Sequence, residues 1–183
     1  DDVLLVIDAA YAEFVRRNDY DDGAAMVAAH DNVVMTRTFS KLHGLAALRL
    51  GWLYGPPAVV DVLNRVRGPF NVNLPAQLAG VAALADLAHQ EAALAHNDHW
   101  LPWLAEEIRG LGLNVHPSAG NFLLVDFPQS HGRDAKAAAQ ALEARGVLVR
   151  PMGGYGLPHA LRISIGLEAE NRACVDALAD FLR

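Results

Sequence analysis

The chain has 183 residues, 52% of them hydrophobic and 20% charged, with a formal net charge of -6. That length supports one hydrophobic core and a second, smaller one, in a composition typical of globular rather than disordered chains. The acidic balance without a basic cluster argues against a nucleic-acid partner, and no apolar run approaches the ~20 residues of a membrane span.

Residues 3–7 are a continuous apolar, β-branched run, which suits a strand buried on both faces of a parallel sheet. The chain opens on this run without a Met, so it reads as a piece cut from a longer protein. The strands missing from such a piece would leave 3–7 with an unpaired apolar edge, prone to association. A short helix is expected at 23–30, then strands at 33–39 and 48–54. Gly55-Pro56-Pro57 breaks the chain before a helix at 58–67. Two further helices are expected at 74–87 and 89–109, the second closed by Gly110 and Gly112.

From there the pattern changes to strand, strand, helix, strand, strand, helix. The strands are expected around Val115, 122–127, 147–150 and 161–165, and the helices at 134–145 and 168–182. The resulting fold class is α/β, with residues 1–113 forming part of a larger domain and 114–183 a small α+β domain. The lone cysteine, Cys174, rules out an internal disulfide and a thiol metal site and fits a reducing cytoplasm. No signal peptide is read at the start.

Chemistry concentrates at two strand ends. Asp8 closes the first apolar run, and Tyr11 follows three residues later. In α/β sheets the carboxyl ends of strands are where ligands sit. The second strand leads into Thr38-Phe39-Ser40-Lys41, with Gly44 in the following loop and Arg49 at the start of the next strand. Thr38 and Ser40 are two apart, so on an extended chain both hydroxyls share a face. Arg49 can then fork to the same anion. An amine nucleophile, two hydroxyls, a guanidinium, a carboxylate and a phenol suit an anionic, carbonyl-bearing nitrogen heterocycle, and pyridoxal 5'-phosphate is such a group.

These residues carry a family resemblance. The segments are Asp8-Ala9-Ala10-Tyr11, Thr36-Arg37-Thr38-Phe39-Ser40-Lys41 and Gly44-Leu45-Ala46-Ala47-Leu48-Arg49-Leu50-Gly51. Pro69-Phe70-Asn71-Val72-Asn73, Asn121-Phe122 and Leu161-Arg162-Ile163-Ser164-Ile165-Gly166 add to them. Over nearly its whole length the chain resembles the C-terminal half of a fold-type I, class I/II aminotransferase. The resemblance implies part of a three-layer α/β/α cofactor-binding domain followed by a small α+β domain. It implies Lys41 as the imine-forming lysine, Asp8 at the pyridine nitrogen, Tyr11 at the ring oxygen, and Thr38, Ser40 and Arg49 at the phosphate. Arg162 would hold the substrate's α-carboxylate. Ala9 stands where many relatives have Glu, a position not expected to touch the cofactor. The expected partners are amino-acid and keto-acid substrates and a second copy in a homodimer.

Other residues admit two readings. Arg150 is either a receptor for a second anion, such as a substrate phosphate, or one half of a surface ion pair. Asn71 and Asn73 are helix caps or site residues. His43 lines the pocket or packs as a half-exposed histidine. His96 and His99 share a helix face without the acidic or thiol partner that a metal site needs. Trp100 and Trp103 cover a core or a subunit seam. Competing functions on the same residues are an aromatic or broad-specificity aminotransferase, a threonine-phosphate decarboxylase, and a non-catalytic sensing or interaction domain.

Overall fold

Two sheets organise residues 3–183, the part of the chain described by the computed structural model. In the first, β1 (Leu5–Asp8) runs parallel to β2 (Val33–Thr38), and β3 (Gly51–Tyr54) pairs antiparallel on β2's other edge. The register sets Asp8 beside Thr36 and Thr38 beside Gly51. Val33, Val34 and Met35 are buried because β2 is bonded on both edges. Val33 and Met35 pack with Ala9, Ala12 and Val27, the last from α1 (Ala24–Ala29).

β1 departs from expectation. Its residues are not buried on both faces: Leu5 is 43% and Val6 54% exposed. The physical reason is that β1 pairs only with β2 and lies at the sheet's edge, with apolar side chains that no described element covers. The expected third strand is also shorter. A 3-10 turn at Ala46–Leu48 precedes it, and Arg49 follows in the left-handed region with φ 55°. Arg49 therefore stands before β3 and not within it.

Three helices follow: α2 (Pro57–Val66), with proline at its first position; α3 (Leu74–Ala85); and α4 (Leu87–Gly110). Asn73 caps α3, its side-chain oxygen accepting from the Ala76 N–H at 2.9 Å. Along α3, Leu74, Leu78 and Val81 recur on an exposed stripe, near Phe70, which is 92% exposed.

The second sheet has the order β4 (Asn114–Val115), β5 (Phe122–Asp126), β7 (Ala160–Ser164), β6 (Arg150–Pro151), all antiparallel. Alternation along β5 and β7 sends Leu123, Val125, Leu161 and Ile163 to one face. There they meet Ala138 and Leu142 of α5 (Ala135–Glu143), Cys174 and Leu178 of α6 (Glu168–Leu182), and Leu104 and Ile108 of α4. Each fully buried Leu, Ile or Val among them contributes ~1.5–3 kcal/mol of transfer free energy. Asp134 caps α5 through the Ala137 N–H, and Glu170 closes the start of α6 by accepting from the Leu167 N–H at 2.7 Å. Burial pushes the Cys174 thiol up to about 11, so it packs as a small apolar group.

The chain divides into two compact units, Asp1–Leu94 and Ala95–Arg183. The division falls within α4, whose Trp100, Leu104, Ala105 and Ile108 are buried, the last three in the second unit's core. Arg172 of α6 lies over both indoles of α4, 5.7 Å from the Trp100 ring and 5.1 Å from that of Trp103. No helix among the described residues is long and apolar enough to cross a membrane.

Partial burial pushes the Asp126 carboxyl up, but hydrogen bonds from Asn114 and His116 and the charge of His116 and His159 outweigh it, holding the group below its ordinary 3.8. A depressed folded-state value contributes stability above the ordinary value and loses it as pH falls through the depressed one. Denaturant unfolding of Asp126→Asn against the native chain should therefore differ at pH 6 and converge as pH falls through the depressed value; parallel curves would contradict the assignment. At Arg49 the backbone itself is strained for a side-chain-bearing residue. Arg49→Asn and Arg49→Val both remove the guanidinium, but valine should cost ~1–2 kcal/mol more because β-branching opposes positive φ. Equal unfolding midpoints would refute that.

Candidate active site

Strand β2 stops at Thr38, and the chain then turns tightly. The Ser40 N–H donates to Thr38 Oγ1 at 3.1 Å, while the Phe39 N–H returns to the Leu50 carbonyl and the Leu45 N–H to the Phe39 carbonyl. The two hydroxyl-bearing residues are thus brought together by a side-chain-closed turn and not by strand alternation, which was the sequence expectation. Gly44, at φ 69°, supplies the left-handed residue that this loop requires. Phe39 and Leu42 are buried beneath it.

Arg49 closes the loop from the other side. Its Nη1 donates to the Ala46 carbonyl at 2.8 Å and lies 3.5 Å from Ser40 Oγ. The guanidinium is therefore held by backbone, is exposed, and stands beside a hydroxyl. Among the described residues no carboxylate pairs with it. Thr38, Ser40 and Arg49 together form a cluster of donors with no internal anion to satisfy it.

Lys41 is partly buried, and its Nζ lies 5.1 Å from the centre of the Tyr11 ring. Tyr11 arrives there because β1 ends at Asp8 and turns at once. The Ala9 N–H donates to the Thr36 carbonyl, and a 3-10 turn at Ala12–Phe14 begins immediately after Tyr11. Asp8 Oδ1 accepts from the Ala10 N–H at 3.1 Å, which orients an otherwise exposed carboxylate. Ala9 is packed into the core of this unit. Asp8, Tyr11, Thr38, Ser40, Lys41 and Arg49 thus lie in the first unit, at the ends of adjacent strands.

Arg150 and Arg162 belong to the second unit. They are register partners on β6 and β7, so both guanidinium stems leave the same face, the one opposite the helix-packed core. Arg162 stacks on Phe122, with Cζ 5.1 Å from the ring centre, and its Nε is buried without a hydrogen-bond partner. Arg150 lies 5.6 Å from the Tyr155 ring and donates to the Tyr155 hydroxyl oxygen at 3.3 Å. Neither arginine is paired with a carboxylate among the described residues. Two like charges directly opposite on a sheet are unfavourable by a few tenths to 1 kcal/mol, and an anion between them would reverse the sign.

The remaining candidates take structural places. Asn73 is the cap described above, and Asn71 Oδ1 accepts from Arg67. The His43 ring sits 4.9 Å from that of Phe39, with a buried, unpartnered Nδ1. His96 bonds the Gly166 carbonyl, while His99 stands edge-on to Trp100. No group of three or more His, Cys, Asp or Glu among the described residues is arranged to hold a metal. Sequence reading missed one element: a charged cluster joining Arg37 of β2 to Glu13 and Asp22. The available signal was a charge inside an otherwise buried strand, which requires partners.

Relatives share this arrangement of segments. The family described as aminotransferase class I and II matches residues 1–178. The chain is 61% identical over 181 residues to a histidinol-phosphate aminotransferase of Rhodospirillum centenum, covering 99% of this chain and 50% of that protein. It is 54% identical over 180 residues to one from Rhodopseudomonas palustris, covering 98% and 49%. Among solved structures, histidinol-phosphate aminotransferase from Sinorhizobium meliloti, in complex with pyridoxal-5'-phosphate, superposes with a TM-score of 0.87 at 30% identity. That match covers 98% of this chain and 49% of that one. The chain therefore spans about half the length of the curated relatives it matches. With the family match running nearly end to end and the strand-end lysine cluster in place, the chain belongs to the class I and II aminotransferases.

Proposed function

We propose that this chain is the C-terminal half of a pyridoxal-phosphate-dependent aminotransferase of histidine biosynthesis. The substrates would be histidinol phosphate and imidazole acetol phosphate, with glutamate and 2-oxoglutarate as the amino pair. The observation that carries the reading is Lys41 Nζ beside the Tyr11 ring, next to the Thr38–Ser40–Arg49 cluster. The residues fit the cofactor: an anion-free donor cluster suits its phosphate, an oriented carboxylate suits its ring nitrogen, and a partly buried amine suits its aldehyde. In this reading residues 1–113 belong to the cofactor-binding domain and 114–183 to the small domain. A cytoplasmic homodimer fits the reading, and the exposed apolar stripe of α3 supports an interface.

When bound, the cofactor supplies an aldehyde carbon and a protonated ring that withdraws electron density from the substrate's amine-bearing carbon. Thr38, Ser40 and Arg49 would bind its phosphate and fix the ring's position. Asp8, oriented by the Ala10 N–H, would keep a proton on the ring nitrogen. Tyr11 would donate to the ring oxygen. Lys41 Nζ would hold the cofactor by its aldehyde carbon and, when free, would take the proton from the substrate's reacting carbon. Arg162 would hold the α-carboxylate of glutamate and, with histidinol phosphate, which has no carboxylate, would share the phosphate with Arg150. Their cross-strand placement suits a phosphate, which accepts from two guanidinium groups at once.

Borohydride reduction in the presence of pyridoxal phosphate, followed by peptide mass mapping, should place one label on Lys41. Lys41→Ala should abolish both label and turnover, and an active Lys41→Ala protein would refute the assignment. For the substrate, Arg150→Ala should lower kcat/KM for histidinol phosphate by ~10- to 100-fold, the loss of one charge-assisted contact. It should leave thermal stability unchanged or slightly higher, since a like-charge neighbour is removed. An equal loss with unphosphorylated aromatic amino acids would argue for a broad-specificity enzyme, and release of CO2 from threonine phosphate for a decarboxylase.

A further inference from the structure

Arg37 sits one residue before Thr38, on the face of β2 that also carries Val33 and Met35. Its side chain is 15% exposed, yet it is fully engaged at its tip. Nη1 donates to Glu13 Oε1 at 2.8 Å, Nη2 donates to Asp22 Oδ2, and Cζ lies 6.0 Å from the ring of Trp52, its register partner on β3. Asp22 is itself fixed, accepting from the Ala24 N–H at 2.9 Å where the chain enters α1. One guanidinium therefore joins three segments: the strand that leads to Lys41, the 3-10 turn that begins after Tyr11, and the loop into α1.

The cluster is an uneconomical way to stabilise a core. Arg37 Nε is buried without a partner, and an apolar residue of similar volume often replaces a buried ion pair at no loss. What the charged fork adds is direction. Glu13 lies two residues beyond Tyr11, and the turn's backbone bonds are local: the Ala12 N–H to the Ala9 carbonyl, the Phe14 N–H to the Tyr11 carbonyl and the Val15 N–H to the Ala12 carbonyl. Backbone bonding to β2 reaches as far as Ala9. Past that point the Arg37–Glu13 ion pair ties the turn to the strand that leads to Lys41.

We propose that Arg37 is a positioning residue, which holds the Tyr11 turn against the end of β2 so that the Tyr11 ring stays over Lys41 Nζ. It touches neither cofactor nor substrate and acts through Glu13. The consequence for cofactor capture rests on the functional reading above, whereas the clamp itself does not.

The test uses the intact protein with Arg37→Met, which preserves bulk, and Glu13→Gln, which preserves shape and an acceptor while removing the charge. Without cofactor, amide exchange at Phe14 and Val15 should quicken about tenfold in both variants, while Val125 and Leu161 in the second unit stay unchanged. With pyridoxal phosphate, capture at Lys41 followed by borohydride trapping should slow by ~10- to 100-fold. Tyr11→Phe should slow it too, and Arg37→Met on the Tyr11→Phe background should add less than about threefold, because both changes act on one contact. Unchanged exchange in the folded variants overturns the clamp. Normal trapping in Arg37→Met, or effects that multiply in the double variant, overturns its action through Tyr11. Absence of label in the unsubstituted protein overturns the functional reading instead, and the exchange result still decides the clamp. Should Arg37→Met not fold, Glu13→Gln alone decides each arm.

Discussion

Strand β2 is the constraint from which the first unit takes its shape. Hydrogen bonds occupy both of its edges, parallel to β1 on one side and antiparallel to β3 on the other, so its register leaves little freedom to its neighbours. A slip of one residue would turn Val33, Met35 and Arg37 to the opposite face, taking two apolar groups out of the core they share with Val27 and stranding a guanidinium away from Glu13 and Asp22. Because the register is so strongly specified, the point where β2 ends is also specified. Thr38 is its last residue, and Ser40 and Lys41 follow in a turn closed by Thr38's own hydroxyl. Chemistry at a strand end inherits its precision from the strand.

The loop from Phe39 to Leu50 adds a second constraint. It leaves β2 and must return beside it, since the Phe39 N–H bonds the Leu50 carbonyl. Closing so short a path takes two left-handed residues, Gly44 and Arg49. Glycine adopts that conformation freely, whereas arginine does not. A strained, charged residue beside a hydroxyl is what a phosphate receptor would require, and strain of this kind gathers at functional sites. The close approach of α3 fits the same economy: a side chain at Gly80 would run into Leu50.

Much of this was legible in the sequence, for identifiable reasons. The apolar run at residues 3–7, the helical period after Asn73 and the alternation at 122–127 are local signals, and β1, α3 and β5 form where those signals lie. The six candidate residues of the first unit stood out in the sequence because strand ends in α/β sheets are where ligands sit. What could not be read was anything set by a distant partner. The burial of β1 depends on neighbours that the described chain does not place there. The reach of the 147–150 strand was overestimated because β6 pairs at only two residues, Arg150 and Pro151. The Arg37 cluster needs residues 13 and 22 to converge on residue 37, which no periodicity encodes.

The two units differ in how far each satisfies itself, and the difference bears on what each can do. The second encloses a continuous core from α4, α5, α6 and its sheet, with Leu104, Ile108, Val125, Leu142, Leu161 and Leu178 wholly buried. Its arginines stand on the sheet's outer face, over Phe122 and Tyr155. Such a face can hold two like charges at a fixed spacing, because the core beneath supplies the stability that their repulsion removes. The first unit has a smaller core around Met35 and Val33, and it leaves β1 and the α3 stripe open to solvent. There, polar ties carry more of the order: the Thr38 turn, the Arg49 bond to Ala46 and the Arg37 fork. Directional bonds specify geometry more sharply than apolar contact does, at less gain in stability. That balance suits a lysine whose use depends on where its amine points.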